Sequence, residues 1–307
     1  MSLRINNNIE SMNAHRNLLM NDRALSKSLE RLASGQKINR AADDPAALVI
    51  SEHMRAQVSG MEQAIRNNEV AISLVQTAEG SMNEISSILV SLRQRAISAA
   101  NVGASDQDMI DANQAEIENA LASIDRVVST TQFGHYKLLD GTNAAKTETN
   151  EDGSISTQEG LRFHVGPNAE HMASTSIRDM STSALGRVTV KEGEIPNKSN
   201  FMSLADIDVR NEQGAQDALA IIDQALTEVA SVRGELGAFQ KHTLESNLTS
   251  LQVAAENMTA AESTIRDTDM AQELATFTRN QIMTQSATAQ LAQANAMPQH
   301  VLRLLNG

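Results

Sequence analysis

Residues 54–96 read MRAQVSG MEQAIRN NEVAISL VQTAEGS MNEISSI LVSLRQR A when broken at every seventh position. The first column is Met54, Met61, Asn68, Val75, Met82, Leu89 and Ala96. Val58, Ile65 and Ile72 form a companion series. A repeat of seven keeps one face of an α-helix turned inward along its length. The seam predicts a helix of more than about 40 residues, about 60 Å or longer at ~1.5 Å per residue.

The same arithmetic works outward in both directions. After Asn101-Val102-Gly103 a new helix is predicted to begin near Ser105-Asp106, with the seam Ile110, Gln114, Ile117, Leu121, Ile124 and Val128. In the C-terminal half Leu219, Ile222, Leu226, Val229 and Leu236 repeat the pattern, which resumes at Leu244, Leu251, Met258 and Ile265. The step from Leu236 through Gln240 to Leu244 is a four-residue slip, which predicts a stutter that locally unwinds a supercoil. Between Ile5 and Leu139 there is one proline, Pro45, and between Asn200 and Met297 there is none. Residues 140–200 differ. They hold Asp140-Gly141, Asp152-Gly153, Gly160, Gly166-Pro167, Gly186, Gly193 and Pro196. Leu161-Arg162-Phe163-His164-Val165 and Arg187-Val188-Thr189-Val190-Lys191 alternate like short hairpin strands. The fold class read from this pattern is mainly α: long coiled-coil-like helices with a small β-hairpin region in the middle.

Both ends of the chain carry apolar stripes. Ile5, Ile9 and Met12 share one face, and Leu18, Leu25, Leu29 and Leu32 share another. Met270, Leu274 and Phe277 do the same near the other end, where Leu291, Val301, Leu304 and Leu305 close the sequence. Lone amphipathic helices are marginal in water. These stripes therefore predict association, with the two ends paired or covered by other copies.

Composition narrows the function. Among 307 residues there is no Cys and no Trp, one Tyr and five Phe. Disulfides, thiolate metal sites and cysteine nucleophiles are excluded. So few aromatics argue against the apolar cleft of a typical enzyme. The net charge of −13 argues against a nucleic-acid-binding surface. No apolar run approaches the ~18 residues of a membrane span. No cleavable signal peptide is legible, since Met1-Ser2-Leu3-Arg4 leads into Asn6-Asn7-Asn8. No metalloprotease, P-loop or nucleophile-elbow motif occurs. No nucleophile, base and orienting group can be read together, so no catalytic residue and no cofactor is assigned. One pattern fits a calcium loop: Glu148, Asn150, Asp152, Gly153, Ile155 and Glu159 fall at its positions 1, 3, 5, 6, 8 and 12. The flanks read as turn and strand instead of helices, which favours a surface hairpin turning at Asp152-Gly153 over a metal site.

Several blocks are more specific than periodicity. The chain opens with Leu3-Arg4-Ile5-Asn6-Asn7-Asn8-Ile9. Then come Leu29-Glu30-Arg31-Leu32-Ala33-Ser34-Gly35-Gln36-Lys37-Ile38-Asn39 and Ala41-Ala42-Asp43-Asp44-Pro45-Ala46. Gln76-Thr77-Ala78-Glu79-Gly80, Asn83-Glu84-Ile85, Ile124-Asp125-Arg126 and Thr131-Gln132-Phe133 follow. Later blocks are Asp179-Met180-Ser181-Thr182-Ser183-Ala184-Leu185-Gly186 and Ile265-Arg266-Asp267-Thr268-Asp269-Met270-Ala271. The chain closes with Ala294-Asn295-Ala296-Met297-Pro298-Gln299-His300-Val301-Leu302-Arg303-Leu304-Leu305. In this order and spacing they resemble bacterial flagellin, the filament subunit of the flagellum, over nearly the whole chain.

The resemblance implies an inner domain of paired terminal helices, here 1–42 with 268–307. It implies a helical core domain, 43–140 with 200–267, and a hairpin and turn-rich segment at 141–199 with no large outer domain. The function it implies is a structural subunit that polymerises into the flagellar filament for motility. Its partners would be many copies of itself, the flagellar export apparatus, the filament cap and a cytosolic chaperone on the C-terminal helix. Its location would be outside the cell. The filament interface would use Ile5, Ile9, Leu18, Leu25, Leu29, Leu32, Leu274, Phe277, Leu291, Val301, Leu304 and Leu305. A hook–filament junction protein shares both terminal regions and is the alternative; a chemoreceptor-type signalling coiled coil is a more distant one.

The family also carries a surface contacted by an animal innate-immune receptor. It is formed by a leucine–glutamine–arginine–aliphatic–arginine–glutamate–leucine run on the long N-terminal helices. The matching run here is Leu89-Val90-Ser91-Leu92-Arg93-Gln94-Arg95. Leu89, Leu92 and Arg93 match, while Ser91, Gln94 and Arg95 depart. Glu116 matches the family's acidic contact. Two readings stand: weak receptor activation, or retuned packing between filament subunits.

Overall fold

The computed structural model describes residues 8–101, 106–149, 155–158, 160–187 and 199–305; at 146–149, 155–158 and 298–305 it describes the backbone. The chain is mainly helical. In order it forms α1 (Ile9–Ser34), α2 (Pro45–Ala100), α3 (Gln107–Thr130), three hairpins, α4 (Glu212–Ala238), a π-helical segment (Phe239–Glu245), α5 (Ser246–Arg266) and α6 (Met270–Leu305). The hairpins pair β1 (Gln132–Phe133) with β2 (Tyr136–Lys137), β3 (Lys146–Thr149) with β4 (Ile155–Gln158), and β5 (Leu161–His164) with β6 (Met172–Thr175), all antiparallel.

Helix ends follow local chemistry. Asp44 Oδ1 accepts from the Ala47 N–H at 3.0 Å ahead of Pro45, whose fixed φ suits the first helical position. Gly35 ends α1 with φ 71° and its N–H on the Arg31 carbonyl at 2.8 Å. Asp269 Oδ1 accepts from the N–H groups of Ala271 and Gln272 at the start of α6.

Packing divides the chain into two compact units, Met1–Ser59 with Ala255–Gly307, and Gly60–Ala254. The expected division fell near residues 42/43 and 267/268. The packing boundary instead lies inside α2 and α5, and residues 141–199 belong to the larger unit. The reason is that Ile177, Met180 and Leu185 are buried in the same core as α2, α3 and α4. Thr182 is also fixed there, donating its N–H and Oγ1–H to the two oxygens of Asp125 at 2.9 Å each. Gly186 is needed close by: its φ is 65°, and a Cβ would lie 2.7 Å from Ile221 Cγ2.

In the larger unit the buried residues of α2 are Met61, Asn68, Val75, Met82, Leu89 and Ala96, with a second column of Ala64, Ala71, Ala78, Ile85, Leu92 and Ala99, and Leu74 beside them. The second column corrects the expected companions: Ile65 and Ile72 are only half-buried. An a/d seam advances by three and then four, which selects the position after Met61 by three, and alanine there admits close neighbours. Ile110, Gln114, Ile117, Leu121, Ile124 and Val128 of α3 are all buried. So are Ala215, Ala218, Ile222, Ala225, Val229, Val232 and Leu236 of α4. Arg93–Asp223 and Arg233–Glu79 ion pairs set α2 and α4 antiparallel.

The slip after Leu236 takes a different form from the expected supercoil stutter. Leu236 and Leu244 are both fully buried although they stand eight apart, one more than a heptad. The backbone between them is π-helical, so the hydrogen-bond ladder itself absorbs the surplus residue. Phe239 in this segment packs on Phe163 of β5, ring centroids 6.2 Å apart. Just beyond it, Asn247 Nδ2 donates to the Val165 carbonyl at 2.5 Å, and Asn68 Nδ2 donates to the same oxygen at 3.3 Å.

Two outcomes are expected. Deleting the exposed Lys241 leaves Leu236 and Leu244 seven apart, so the variant should fold with a Tm within about 3 °C of the parent. Deleting Ser231, exposed on α4, breaks the seam and should lower the Tm by about 10 °C or more. Equal damage from both deletions in a thermal melt would show that the π segment holds no surplus residue. The second concerns acid. Lys27 Nζ sits 2.6 Å from Asp43 Oδ1, and the N–H groups of Arg40 and Asn39 donate to Oδ2; these hold the Asp43 carboxyl down at about 2. A depressed carboxylate contributes stability above its unfolded pKa, ~3.9, and loses it as pH falls through the folded value. The terminal unit should therefore lose stability between about pH 4 and pH 2, and Asp43→Asn should flatten that decline. A pH series of melts on both proteins is the check.

Candidate functional site

The smaller unit is where the two ends of the chain meet. α1 and α6 run antiparallel, fixed by contacts whose numbers rise on one helix and fall on the other. Asn8 Nδ2 donates to the Ala294 carbonyl at 2.8 Å, and Ser11 Oγ donates to Asn295 Oδ1 at 2.6 Å. Further along come long contacts of Asn21 with the Met283 carbonyl and of Asn280 with Ser28 Oγ, both 3.4 Å. An Arg31–Glu273 ion pair at 3.5 Å closes the series.

Half-buried or buried positions mark the shared seam. On α1 they are Ser11, Ala14, Leu18, Asn21, Leu25, Ser28 and Leu32; on α6 they are Glu273, Phe277, Asn280, Thr284, Ala287, Leu291 and Ala294. Both columns keep the three–four spacing of a coiled coil, but nine of these fourteen members are small or polar. The larger apolar groups lie elsewhere. Ile9, Met12, Leu19, Met20 and Leu29 of α1 are exposed, as are Met270, Leu274, Ile282, Met283 and Met297 of α6. Ile9, Met12, Leu19 and Met20 fall on the side of α1 opposite the seam, by the helical period.

The expected interface residues therefore fall into three groups. Leu18, Leu25, Leu32, Phe277 and Leu291 are on the intramolecular seam, so the monomer already covers them in part. Ile9, Leu29 and Leu274 are exposed. Ile5 lies outside the described residues, and Val301, Leu304 and Leu305 continue α6 with only their backbone described. Leu19, Met20, Ile282, Met283 and Met297 were missed. The signal was present: they sit one position beside the columns chosen from sequence, where a period of 3.6 carries the stripe around the helix.

The turns joining this unit's helices are also tied. The Lys37 N–H donates to the Arg266 carbonyl at 2.7 Å, and the Thr268 N–H to the Gly35 carbonyl at 2.9 Å. Arg266 pairs with Glu52 at 2.7 Å, and this hydrogen bond lowers the Glu52 carboxyl below its ordinary range.

In the larger unit, Leu89 and Leu92 are core residues. Ser91 is exposed, its Oγ donating back to the Ser87 carbonyl at 3.2 Å. Arg93 pairs with Asp223 of α4 at 2.6 Å, and Arg95 pairs with Glu116 of α3 at 2.6 Å, each about half exposed. Gln94 is exposed beside them. The calcium template is split. Glu148 and Ile155 lie on the paired strands β3 and β4, with Glu148 opposite Ser156; Asn150, Asp152, Gly153 and Glu159 lie outside the described residues. Among the described residues no three His, Asp or Glu side chains are grouped to hold a metal ion.

Comparison with known proteins agrees with this geometry. Residues 5–144 match the bacterial flagellin N-terminal helical region, and residues 219–305 match the bacterial flagellin C-terminal helical region. A flagellin of Bacillus subtilis (strain 168) is 41% identical over 99% of this chain and all of its own length. A flagellar filament 30.7 kDa core protein of Treponema maltophilum is 38% identical over 98% of this chain and 99% of its own. Among solved structures, a putative flagellar hook-associated protein from Vibrio parahaemolyticus covers 73% of this chain with a TM-score of 0.56 at 15% identity, a likeness of fold alone. With both helical regions matched and relatives of about this similarity along its full span, the chain belongs to the bacterial flagellin family.

Proposed function

We infer that the chain is the repeating structural subunit of a bacterial flagellar filament. Relatives named flagellin and flagellar filament core protein support this reading. The observation that carries it is the build of the α1–α6 pair, whose seam mixes leucine and Phe277 with small and polar side chains while ten other large apolar side chains stand exposed among the described residues. Such a surface is a liability in a solitary protein and an interface in a polymer. A contact between two different faces does not close on itself, so repeated addition gives a helical filament.

The finer steps follow from family resemblance and belong to the same proposal. The subunit leaves the cell through the flagellum's own secretion channel and adds at the tip beneath a cap. Before export a chaperone holds its C-terminal helix. Its role is mechanical, not enzymatic. The hook–filament junction alternative has less support, because its likeness is one of fold at low identity. The chemoreceptor alternative lacks its membrane anchor among the described residues, where no helix is long and apolar enough to cross a membrane.

Leu29 and Leu274 are 55% and 56% exposed in the subunit. Leu29→Asp and Leu274→Asp should leave its melting curve within about 0.5 kcal/mol of the parent. Each places an unpaired charge in the assembled contact, and the critical concentration for polymerisation should rise by about 100-fold, roughly 2.7 kcal/mol. Negative staining and sedimentation of concentrated protein give the answer; normal filaments from both variants would remove these faces from the interface.

The receptor-facing run supports a second, separate proposal of weak recognition by the innate receptor. Ser91 lacks the planar donor of an arginine, and Arg95 and Glu116 are engaged with each other. In a receptor reporter assay the monomer should be at least about 30-fold less potent than a flagellin with the full motif, about 2 kcal/mol at one arginine contact. Ser91→Arg with Arg95→Leu should restore signal. Full potency of the unmodified monomer would refute it.

A further inference from the structure

Sulfur enters this chain only as thioether: there are 14 Met, no Cys and no Trp. Methionine is therefore the group through which a peroxide first acts on it. Its placement is uneven. Met61, Met82 and Met180 are buried in the core of the larger unit, which exposes Met109, Met172 and Met202. The seam between α1 and α6 holds no methionine. Yet of the ten large apolar side chains exposed among the described residues of those two helices, five are methionine: Met12, Met20, Met270, Met283 and Met297, from 41% to 68% exposed.

We propose that these five methionines form a reversible oxidation site that gates addition of the free subunit to a filament. This rests on the filament reading above. The sulfur lone pair attacks one oxygen of hydrogen peroxide, and the O–O bond breaks. That oxygen bonds to sulfur as the sulfoxide, and the other leaves as water after proton transfer. Sulfur loses two electrons and the peroxide gains them. A dithiol-dependent sulfoxide reductase reverses the change: two thiols become a disulfide, the oxygen leaves as water, and the thioether returns.

Selectivity comes from position. A sulfoxide is polar and must lose its water when a neighbouring copy covers it. The intramolecular seam and the central core contain none of the five, so the oxidised subunit keeps its fold and loses its assembly face. Once assembled, the same thioethers are covered and the peroxide no longer reaches them. Methionine also suits a face that must adapt to several neighbours, because it is flexible and polarisable. The oxidation proposal is separated from that use by replacing the sulfur.

The experiment measures elongation of the full-length chain from filament seeds, before and after hydrogen peroxide, with peptide mass spectrometry counting sulfoxides. Oxidised wild type should keep its helical circular dichroism and elongate more than ten-fold slower. Sulfoxide reductases with a dithiol should restore the rate. A variant carrying M12L, M20L, M270L, M283L and M297L should elongate equally with and without peroxide. If it does not elongate untreated, the pair M12L/M20L and the triple M270L/M283L/M297L are tested in its place, and each should lose part of the sensitivity. Pre-formed filaments should resist oxidation at these five positions. Undiminished elongation of wild type oxidised at all five overturns the proposal, as does unchanged sensitivity in the leucine variants or failure of reduction to restore the rate. If untreated wild type never elongates, the filament reading itself falls, and this one with it.

Discussion

The central packing rests on the alanines buried along α2 and α4, whose small side chains admit close neighbours. Ala64, Ala71 and Ala78 alternate with Met61, Asn68 and Val75 on α2, and Ala215, Ala218 and Ala225 recur on α4. Toward the end where α2 offers Ala96 and Ala99 and α4 offers Ala215 and Ala218, two helices alone would leave space. The segment Phe201–Val209 supplies Phe201, Leu204, Ile207 and Val209 to the same core. Gln114 of α3 holds that segment, accepting from the Val209 N–H at 2.9 Å and donating to the Ile207 carbonyl at 3.3 Å. Interiors pack near crystal density, so a piece of chain with a single 3-10 turn, Leu204–Asp206, is recruited where the helices become too slim to fill it.

Seen this way, the π segment is the same requirement along the chain. A seam of seven can stay buried only if each step is three or four. The eight-residue step from Leu236 to Leu244 would turn α5 by one residue, about 100°, and bring polar positions such as Thr243 toward the core. One surplus residue in the hydrogen-bond ladder keeps Leu244 and Leu251 buried. It also leaves Asn247 where it meets the Val165 carbonyl, the oxygen that Asn68 reaches from α2. The β5–β6 hairpin is thus held by two helices at one atom, beside the phase correction.

Legibility in the sequence followed side-chain size. Columns containing large residues, such as Met61 to Leu89 and Ile110 to Val128, were found because large apolar groups stand out against a polar background. The alanine column of α2 was missed, and the conspicuous Ile65 and Ile72 took its place, because hydrophobicity was read where steric fit decided. The slip at Leu236 was seen, but period alone does not say whether a supercoil or a hydrogen-bond ladder absorbs it; the hairpin contacts at Phe239 and Asn247 come from distant residues. Blocks such as Asp179–Gly186 stood out as specific without a reason. The Thr182–Asp125 hydrogen bonds and the positive φ of Gly186 supply it. At the terminal helices the apolar stripes were read as one surface, whereas two surfaces exist, since the small and polar residues between the leucines also form a seam.

That second surface changes the account of how a subunit stays soluble. A pair of helices joined by leucine at every seam position would be a strong coiled coil with little left to offer a neighbour. The α1–α6 seam instead mixes Leu18, Leu25 and Leu291 with Ser11, Asn21, Ser28, Asn280 and Thr284, and its hydrogen bonds at Asn21 and Ser28 are long. Buried apolar area stabilises by roughly 25 cal/mol per Å², so moving the bulk outward transfers stabilisation from the single chain to the contact between chains. On the filament reading the terminal unit would gain stability on assembly, because anything that binds the folded form and not the unfolded one raises its apparent stability. A chain built this way is held together loosely at its ends while it is alone and firmly once neighbours cover them. The arrangement follows from which side of each helix carries the large residues.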